Sequence, residues 1–210
     1  MSCSEVSAIE LAGKLIVLEG LDFTGKSTQA RLLAQAVREA GYSVVETGEP
    51  GGTPVGEAVR RILLDRENAS LLPISELLLF VTCRAQVTEQ IIMPALAEGK
   101  TVVSSRYRLS SIAYQGYGRG LDIELIRQLN ESATQGLHAD LTFLIDVPAE
   151  IALSRRPGRG DRIEQMDLDF YERVRQGFLD AADAEATIHV VDGQPPVETI
   201  AATIADFLDL

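Results

Sequence analysis

The chain has 210 residues, and Asp plus Glu outnumber Lys plus Arg by 31 to 19, a formal net charge of -12. This length suits one substantial α/β domain, and with no repeat and no separating linker residues 1–210 read as a single domain. The acidic balance argues against a broad basic surface for nucleic acid, and no stretch approaches the roughly 20 apolar residues of a membrane span. The first residues carry neither a basic start nor an apolar core, so the expectation is a cytoplasmic protein. Two cysteines do not make a disulfide framework. Cys3 falls in a polar N-terminal stretch read as mobile, and Cys83 reads as a small apolar helix residue rather than a nucleophile.

In chain order, residues 14–19 form a first apolar strand, and a helix over 26–40 is closed by Gly41. A short strand covers 43–46. The loop Glu49-Pro-Gly-Gly-Thr-Pro54 leads into a helix from about Val55. A long apolar-periodic helix runs from Ser75 toward Glu98, bent near Pro94 and ended by Gly99. Residues 101–104 are a third strand. Asp122 caps a helix to about Ala133, residues 141–146 are a fourth strand, and 150–154 a short helix. Asp167 or Asp169 opens a further helix that ends before Thr187. Residues 187–191 form a fifth strand, and the last helix runs from Pro196 to Leu208. Short strands that are apolar throughout, alternating with helices, predict a parallel sheet with helices on both faces. Segment 154–166 and the helix and loop between the second and third strands are the parts expected to move over the sheet's C-terminal edge.

One motif carries most of the chemistry. Gly20-Leu21-Asp22-Phe23-Thr24-Gly25-Lys26-Ser27 fits G-x-x-x-x-G-K-[ST], between an apolar strand and a helix that begins with Thr28 still in its first turn. Backbone N–H groups of such a loop face the phosphates of a nucleoside triphosphate. Lys26 reaches the β- and γ-phosphates, and Ser27 offers its hydroxyl to Mg²⁺. This loop alone leaves a GTPase, an ATPase and a small-molecule kinase open. No guanine-reading Asn/Thr-Lys-x-Asp segment is present. Four arginines, 155, 156, 159 and 162, crowd a segment rich in Pro and Gly, which suggests a lid over a small anionic ligand. Phosphoryl transfer between two nucleotides needs such fixed positive charge and the exclusion of water.

Beyond these residues the chain resembles the bacterial thymidylate kinases. The matching stretches are Leu18-Glu-Gly-Leu-Asp22 with Gly25-Lys-Ser-Thr-Gln29, Glu49-Pro-Gly-Gly-Thr53, Glu76-Leu-Leu-Leu-Phe80 and Arg84-Ala-Gln86. They continue with Arg106-Tyr107, Ser110 to Gly120, Asp161-Arg-Ile-Glu164 and Phe170 to Phe178. The resemblance spans nearly the whole chain. It implies a nucleoside monophosphate kinase fold with sheet order 2-3-1-4-5, ATP and Mg²⁺ over Gly20–Thr28, dTMP as acceptor, and a homodimer. By resemblance, Phe80 would stack on thymine, with Arg84 one turn on facing the base carbonyl or the phosphate. Ser111 would bond the pyrimidine edge, Tyr114 close over the sugar, and Arg106 hold the acceptor phosphate. Asp22 would meet the sugar 3′-hydroxyl or a metal-bound water, which puts it beside Ser27 as a metal-site residue. Glu49, Gln115 and Glu164 are candidates for further polar contacts. Lys26, Asp22, Arg106 and the lid arginines Arg155, Arg156 and Arg159 would be catalytic, Arg159 being favoured for its flanking glycines. Without the resemblance, Phe80 reads equally as a core aromatic, Ser111 as a helix-cap residue and Tyr114 as a half-buried aromatic.

The chain departs from the family pattern at Ser105, where an Asp is usual, at Gly48, where an Arg is usual, and at Phe23, where a Gly is usual. Val87 and Cys83 also replace usual polar residues. A serine hydroxyl cannot supply an aspartate's charge, so metal affinity is expected to fall unless Asp22 or Glu49 compensates. An active divergent dTMP kinase, a kinase for another nucleoside monophosphate, and a non-catalytic nucleotide-binding regulator all remain open from these departures.

Overall fold

The computed structural model describes residues 10–210; the expectation for Cys3 and the first residues lies outside them. Among the described residues, five strands form one parallel sheet in the order β2-β3-β1-β4-β5, as the resemblance implied. The strands are β1 (Leu15–Glu19), β2 (Val44–Gly48), β3 (Thr101–Ser105), β4 (Leu141–Asp146) and β5 (Ile188–Asp192). β1 is buried along its whole length. Alternate side chains point to opposite faces, so Ile16 and Leu18 enter one core while Leu15 and Val17 enter another. That two-sided burial is why the strand reads as a continuous apolar run.

α1 (Lys26–Glu39) and α9 (Val197–Phe207) cover one face, with Leu33, Val37, Ile200 and Ile204 packed on Ile16, Phe143 and Val191. On the other face lie α3 (Pro73–Val87), α4 (Met93–Ala97) and α8 (Leu168–Ala184). α2 (Pro54–Leu64) starts at Thr53, whose side chain accepts from the Gly56 N–H, and packs outside α3. α6 (Ile123–Thr134) starts at Asp122 and α8 at Asp167, each capped by its carboxylate. The short α7 (Ala149–Ser154) follows β4.

Two places differ from the sequence pattern. The long helix expected over 75–98 is three pieces: α3, a π-helical turn over Thr88–Ile92, and α4 with Pro94 in its first turn. The widened turn absorbs the proline that cannot donate to the ladder. Between β3 and Asp122 the pattern suggests no helix, yet α5 (Arg108–Ser111) runs into a π-helix over Ile112–Gly118. Gly116 and Gly118 argue locally against a helix. They are there for packing: a Cβ at Gly116 would lie 2.3 Å from Ile123 Cδ1, and one at Gly118 2.7 Å from Phe170 Cε2. Tertiary contact with α6 and α8 overrides the propensity.

Candidate active site

The strand order reverses at β1, which pairs with β3 on one side and β4 on the other. Crevices at the C-terminal ends of such strands hold ligands in open α/β sheets. Here β1 delivers the Gly20–Ser27 loop, and β3 delivers Ser105 and Arg106. A cavity of about 280 Å³ opens between them, lined among others by Asp22, Lys26, Glu49, Phe80, Arg106 and Tyr114.

The loop turns tightly into α1, with Gly25 in the left-handed region at φ 87°. Phe23 also lies there, at φ 65°. The bulky residue therefore keeps the backbone shape a glycine would adopt, at a steric cost of about 1–2 kcal/mol. Thr24 Oγ1 donates to the Leu21 carbonyl, and Lys26 Nζ donates to the same oxygen at 3.0 Å. Burial and then the Arg106 charge lower Lys26 to about 7, against the pull of Asp22 at 3.7 Å.

Asp22 is the centre of the polar network. Its Oδ1 accepts from Arg106, and its Oδ2 accepts from Tyr114 Oη at 2.9 Å and Tyr171 Oη at 3.1 Å. Burial raises this carboxyl, but the charges of Arg106 and Lys26 outweigh it and hold the group below the ordinary range. Of a carboxylate's roughly four lone-pair sites, three are taken. Arg106 reaches Ser110 Oγ at 3.0 Å and the Tyr114 phenol at 3.1 Å, and its guanidinium lies 4.8 Å from the Tyr114 ring centre. The residue itself sits at φ 72°, an uncommon region that for such a side chain marks a constrained site. Behind it, fully buried Glu19 accepts from the Tyr107 and Ser110 N–H groups and from Ser110 Oγ at 2.6 Å. Glu19 and Tyr171, which carry no role in the sequence reading, also hold this network. Both lie within stretches that match the family, and Glu19 carries a further signal as a charged residue ending an apolar strand.

Arg84 is completely buried, and all five of its N–H donors are engaged. Two run in a fork to Glu49, at 3.1 and 2.5 Å. The others reach Ser111 Oγ at 2.9 Å, Asn130 Oδ1 at 2.5 Å and the Tyr107 carbonyl at 2.9 Å. Burial raises the Glu49 carboxyl, with Arg84 pulling it down. Ser111 stands between α5 and the π-helical turn but its side chain makes no capping hydrogen bond; it is nearly fully buried against Arg84. Phe80 is half-buried: it packs against two core clusters and also lines the cavity. Gln115 also lines the cavity and donates to Glu76 at 2.9 Å. Asp161, Ile163 and Glu164 face the same cavity. Cys83 is buried with its thiol pushed by burial up to about 11, so it stays protonated.

The two departures at 48 and 105 are neighbours. Gly48 pairs with Ser105 in the β2–β3 register, and a Cβ at Gly48 would lie 2.9 Å from the Ser105 carbonyl oxygen. A usual cation and a usual anion are thus missing from one spot together. Ser105 Oγ lies 3.2 Å from Ser27 Oγ. Neither Asp22 nor Glu49 stands free to replace the charge, since Arg106 and Arg84 hold them. Among the described residues, no group of three or more His, Cys, Asp or Glu could hold a metal. This donor set fits a hard cation that arrives with phosphate oxygens and keeps its waters, not one caged by protein alone.

The lid arginines stand apart. Arg155 is exposed and donates to the Gly193 carbonyl at 3.1 Å; Arg156 donates to the Glu164 carbonyl at 2.7 Å. Arg159 is exposed. None of the three lines the cavity. The fourth, Arg162, is buried and pairs with Glu76 at 2.7 Å.

The thymidylate kinase family model matches residues 18–204. The thymidylate kinase of Geobacter sulfurreducens is 44% identical over 205 residues, covering 93% of this chain and 96% of its own. That of Desulforudis audaxviator is 47% identical over 177 residues, covering 83% and 80%. The crystal structure of thymidylate kinase from Ehrlichia chaffeensis superposes with a TM-score of 0.80 at 35% identity, over 95% of this chain and 100% of that one. The chain belongs to the thymidylate kinase family.

Proposed function

We propose that this protein transfers the γ-phosphoryl group of ATP to dTMP, giving dTDP and ADP. The observation that carries the reading is one cavity bounded by the phosphate loop on one side and by Phe80, Arg106, Ser111 and Tyr114 on the other. At about 280 Å³ it lies just below the roughly 300–1,000 Å³ of drug-sized ligand pockets, and suits a mononucleotide rather than a larger ligand.

In this reading the donor phosphates lie on the N-terminus of α1 over Gly20–Thr28, where backbone N–H groups and the helix dipole favour anions. Phosphate oxygens beside Lys26 favour its charged form, offsetting the burial that lowers it in the free protein. Ser27 would hold Mg²⁺, with Asp22 as a second candidate at the metal site. Bound Mg²⁺ would neutralise charge on the phosphates. Arg106 binds the acceptor phosphate and is aimed by Asp22, Tyr114 and Ser110. Phe80 stacks on the pyrimidine. Arg84 acts through its neighbours: it fixes Ser111 toward the base edge and Glu49 at the cavity wall. Tyr114 stands where a sugar would pass between Asp22 and Arg106. The acceptor is already a phosphate monoester, so alignment and charge neutralisation carry the rate, with little base catalysis. Segment 154–166 closes as a lid and brings an arginine, Arg159 first among the candidates, to the transferred group while excluding water.

The described residues contain no helix long and apolar enough to cross a membrane. The reading places the enzyme in the cytoplasm, acting on small molecules and not on nucleic acid. It places a second copy of the chain on α2, α3 and α6, where Ile62 and Leu78 are each 46% exposed and Leu125 38%. Light scattering at micromolar concentration checks this, a dimer mass being expected.

The decisive assay is ADP production with ATP and Mg²⁺, offering dTMP, dUMP, dCMP, dGMP and dAMP separately, with Lys26→Ala as control. Turnover highest with dTMP and lost in the control is expected. No turnover with any acceptor, despite bound ATP, would overturn the reading.

A further inference from the structure

Glu76 has no part in the chemistry just described, yet it is 1% exposed, accepts three hydrogen bonds and forms one further ion pair. Gln115 Nε2 reaches it at 2.9 Å from the cavity wall. Arg119 donates twice, at 3.1 and 3.0 Å, and its guanidinium rests 4.9 Å from the Phe170 ring centre. Arg162 Nη1 forms an ion pair with it at 2.7 Å from the far end of the lid segment. Two cations and one carboxylate share this cluster, so removing the carboxylate leaves two cations uncompensated.

The placement gives the cluster its meaning. Glu76, Phe80 and Arg84 are spaced i, i+4 and i+8 along α3, so they lie on one stripe of one helix. The stripe presents, in order, a lid anchor, an aromatic at the cavity and the guanidinium that holds Ser111 and Glu49. Arg162 also stitches the lid base to α2: its Nε donates to the Leu63 carbonyl at 2.8 Å and its backbone N–H to the Leu64 carbonyl at 3.2 Å. Leu64, Ile163 and Glu164 all line the cavity. Arg162 Nη2, in contrast, is buried with no acceptor. An unsatisfied buried donor is costly, so this arrangement of Arg162 gains by shifting toward one that satisfies it.

We propose that Glu76 is a positioning residue that couples the two substrates: through Gln115 and Arg162 it transmits occupancy of the acceptor pocket to the lid. A nucleoside monophosphate between Phe80 and Gln115 would then bias the lid toward closure before ATP is committed. Closure ahead of transfer guards the γ-phosphoryl group against water. This inference rests on the dTMP reading above.

The test uses trypsin, which cuts at exposed arginines, with Arg155 and Arg159 as the reporters. Added dTMP, without ATP, is expected to slow cleavage of the wild-type lid by about tenfold, within the ~5–150-fold span of ordinary site coupling. In Glu76→Gln, and independently in Arg162→Met, dTMP should still bind by calorimetry while protection drops below about twofold. Equal protection in wild type and variants would overturn the coupling and leave the substrate reading intact. Absence of protection in the wild type, with dTMP bound, would overturn it without need of any variant. Failure of dTMP to bind the wild type would sink the substrate reading and this inference together.

Discussion

Arg84 and Arg159 bring the same guanidinium to opposite surroundings. Arg84 is completely buried with every donor engaged, and its neighbours Glu49, Ser111 and Asn130 are themselves buried. Arg159 is exposed between two glycines at positive φ. The Arg84 side of the cavity, the acceptor side on the proposed reading, is held in the free protein by packing and hydrogen bonds. Arg155 and Arg159 lie on an exposed segment away from the cavity, which on the proposed reading still has to close. The difference suits a reaction that fixes one phosphate for alignment and brings charge to the other late, when water has been excluded.

This contrast can be broken from either side. Arg84→Met should have the largest effect on the fold, about 3–5 kcal/mol, because it strands the Glu49 carboxylate in the interior. Urea unfolding measures it, and Glu49→Gln in the same chain should recover part of the loss. If Arg84→Met unfolds at the wild-type midpoint, the acceptor side is not held by this fork. Lys26→Ala should lower kcat by roughly 10³-fold, the scale of removing one preorganised charge donor. Arg159→Ala should lower kcat by about 10²-fold and move the unfolding free energy by no more than ~0.5 kcal/mol. A stability loss as large as that of Arg84→Met would erase the distinction between the two regions.

A pH series sharpens it further. Lys26 in the folded protein is lowered to about 7 from its ordinary 10.5, so between these values the unfolded chain binds more protons. Its contribution therefore favours folding above 10.5 and is lost as pH falls through about 7. Lys26→Met should flatten the rise of the urea midpoint with pH across that window. Binding of ATP near neutral pH should take up protons as phosphates restore the ammonium; calorimetry in buffers of different ionisation enthalpy reads this directly. The smallest effect belongs to Phe23→Gly, which relieves left-handed strain but adds unfolded-state freedom, for a net gain of at most ~1 kcal/mol. A net loss would mean that the Phe23 ring contributes packing at the cavity mouth.

Much of this was legible along the chain. The strand, loop and helix around Gly20–Ser27 follow from local composition, because phosphate binding there uses backbone groups and adjacent residues. Five apolar runs separated by periodic segments indicate a parallel sheet for the same local reason. Local pattern points to Ser111 as a cap, but its side chain serves Arg84, 27 positions away. The helix over 108–118 was missed because its glycines serve contacts with α6 and α8 rather than local preference.

By itself, then, the sequence determined the phosphate loop, the order and character of the strands and the family to which the chain belongs. These depend on short-range periodicity and on motifs whose spacing is their geometry. Only the tertiary structure decided that Gly48 and Ser105 are one paired departure, and that Asp22 is shared by Arg106, Tyr114 and Tyr171. It also decided that Arg162 turns inward to Glu76 while Arg159 stays outside. Each of these is a contact between distant segments. Whether a charge is buried and paired or exposed and free depends on which chains pack around it, and no local pattern encodes that.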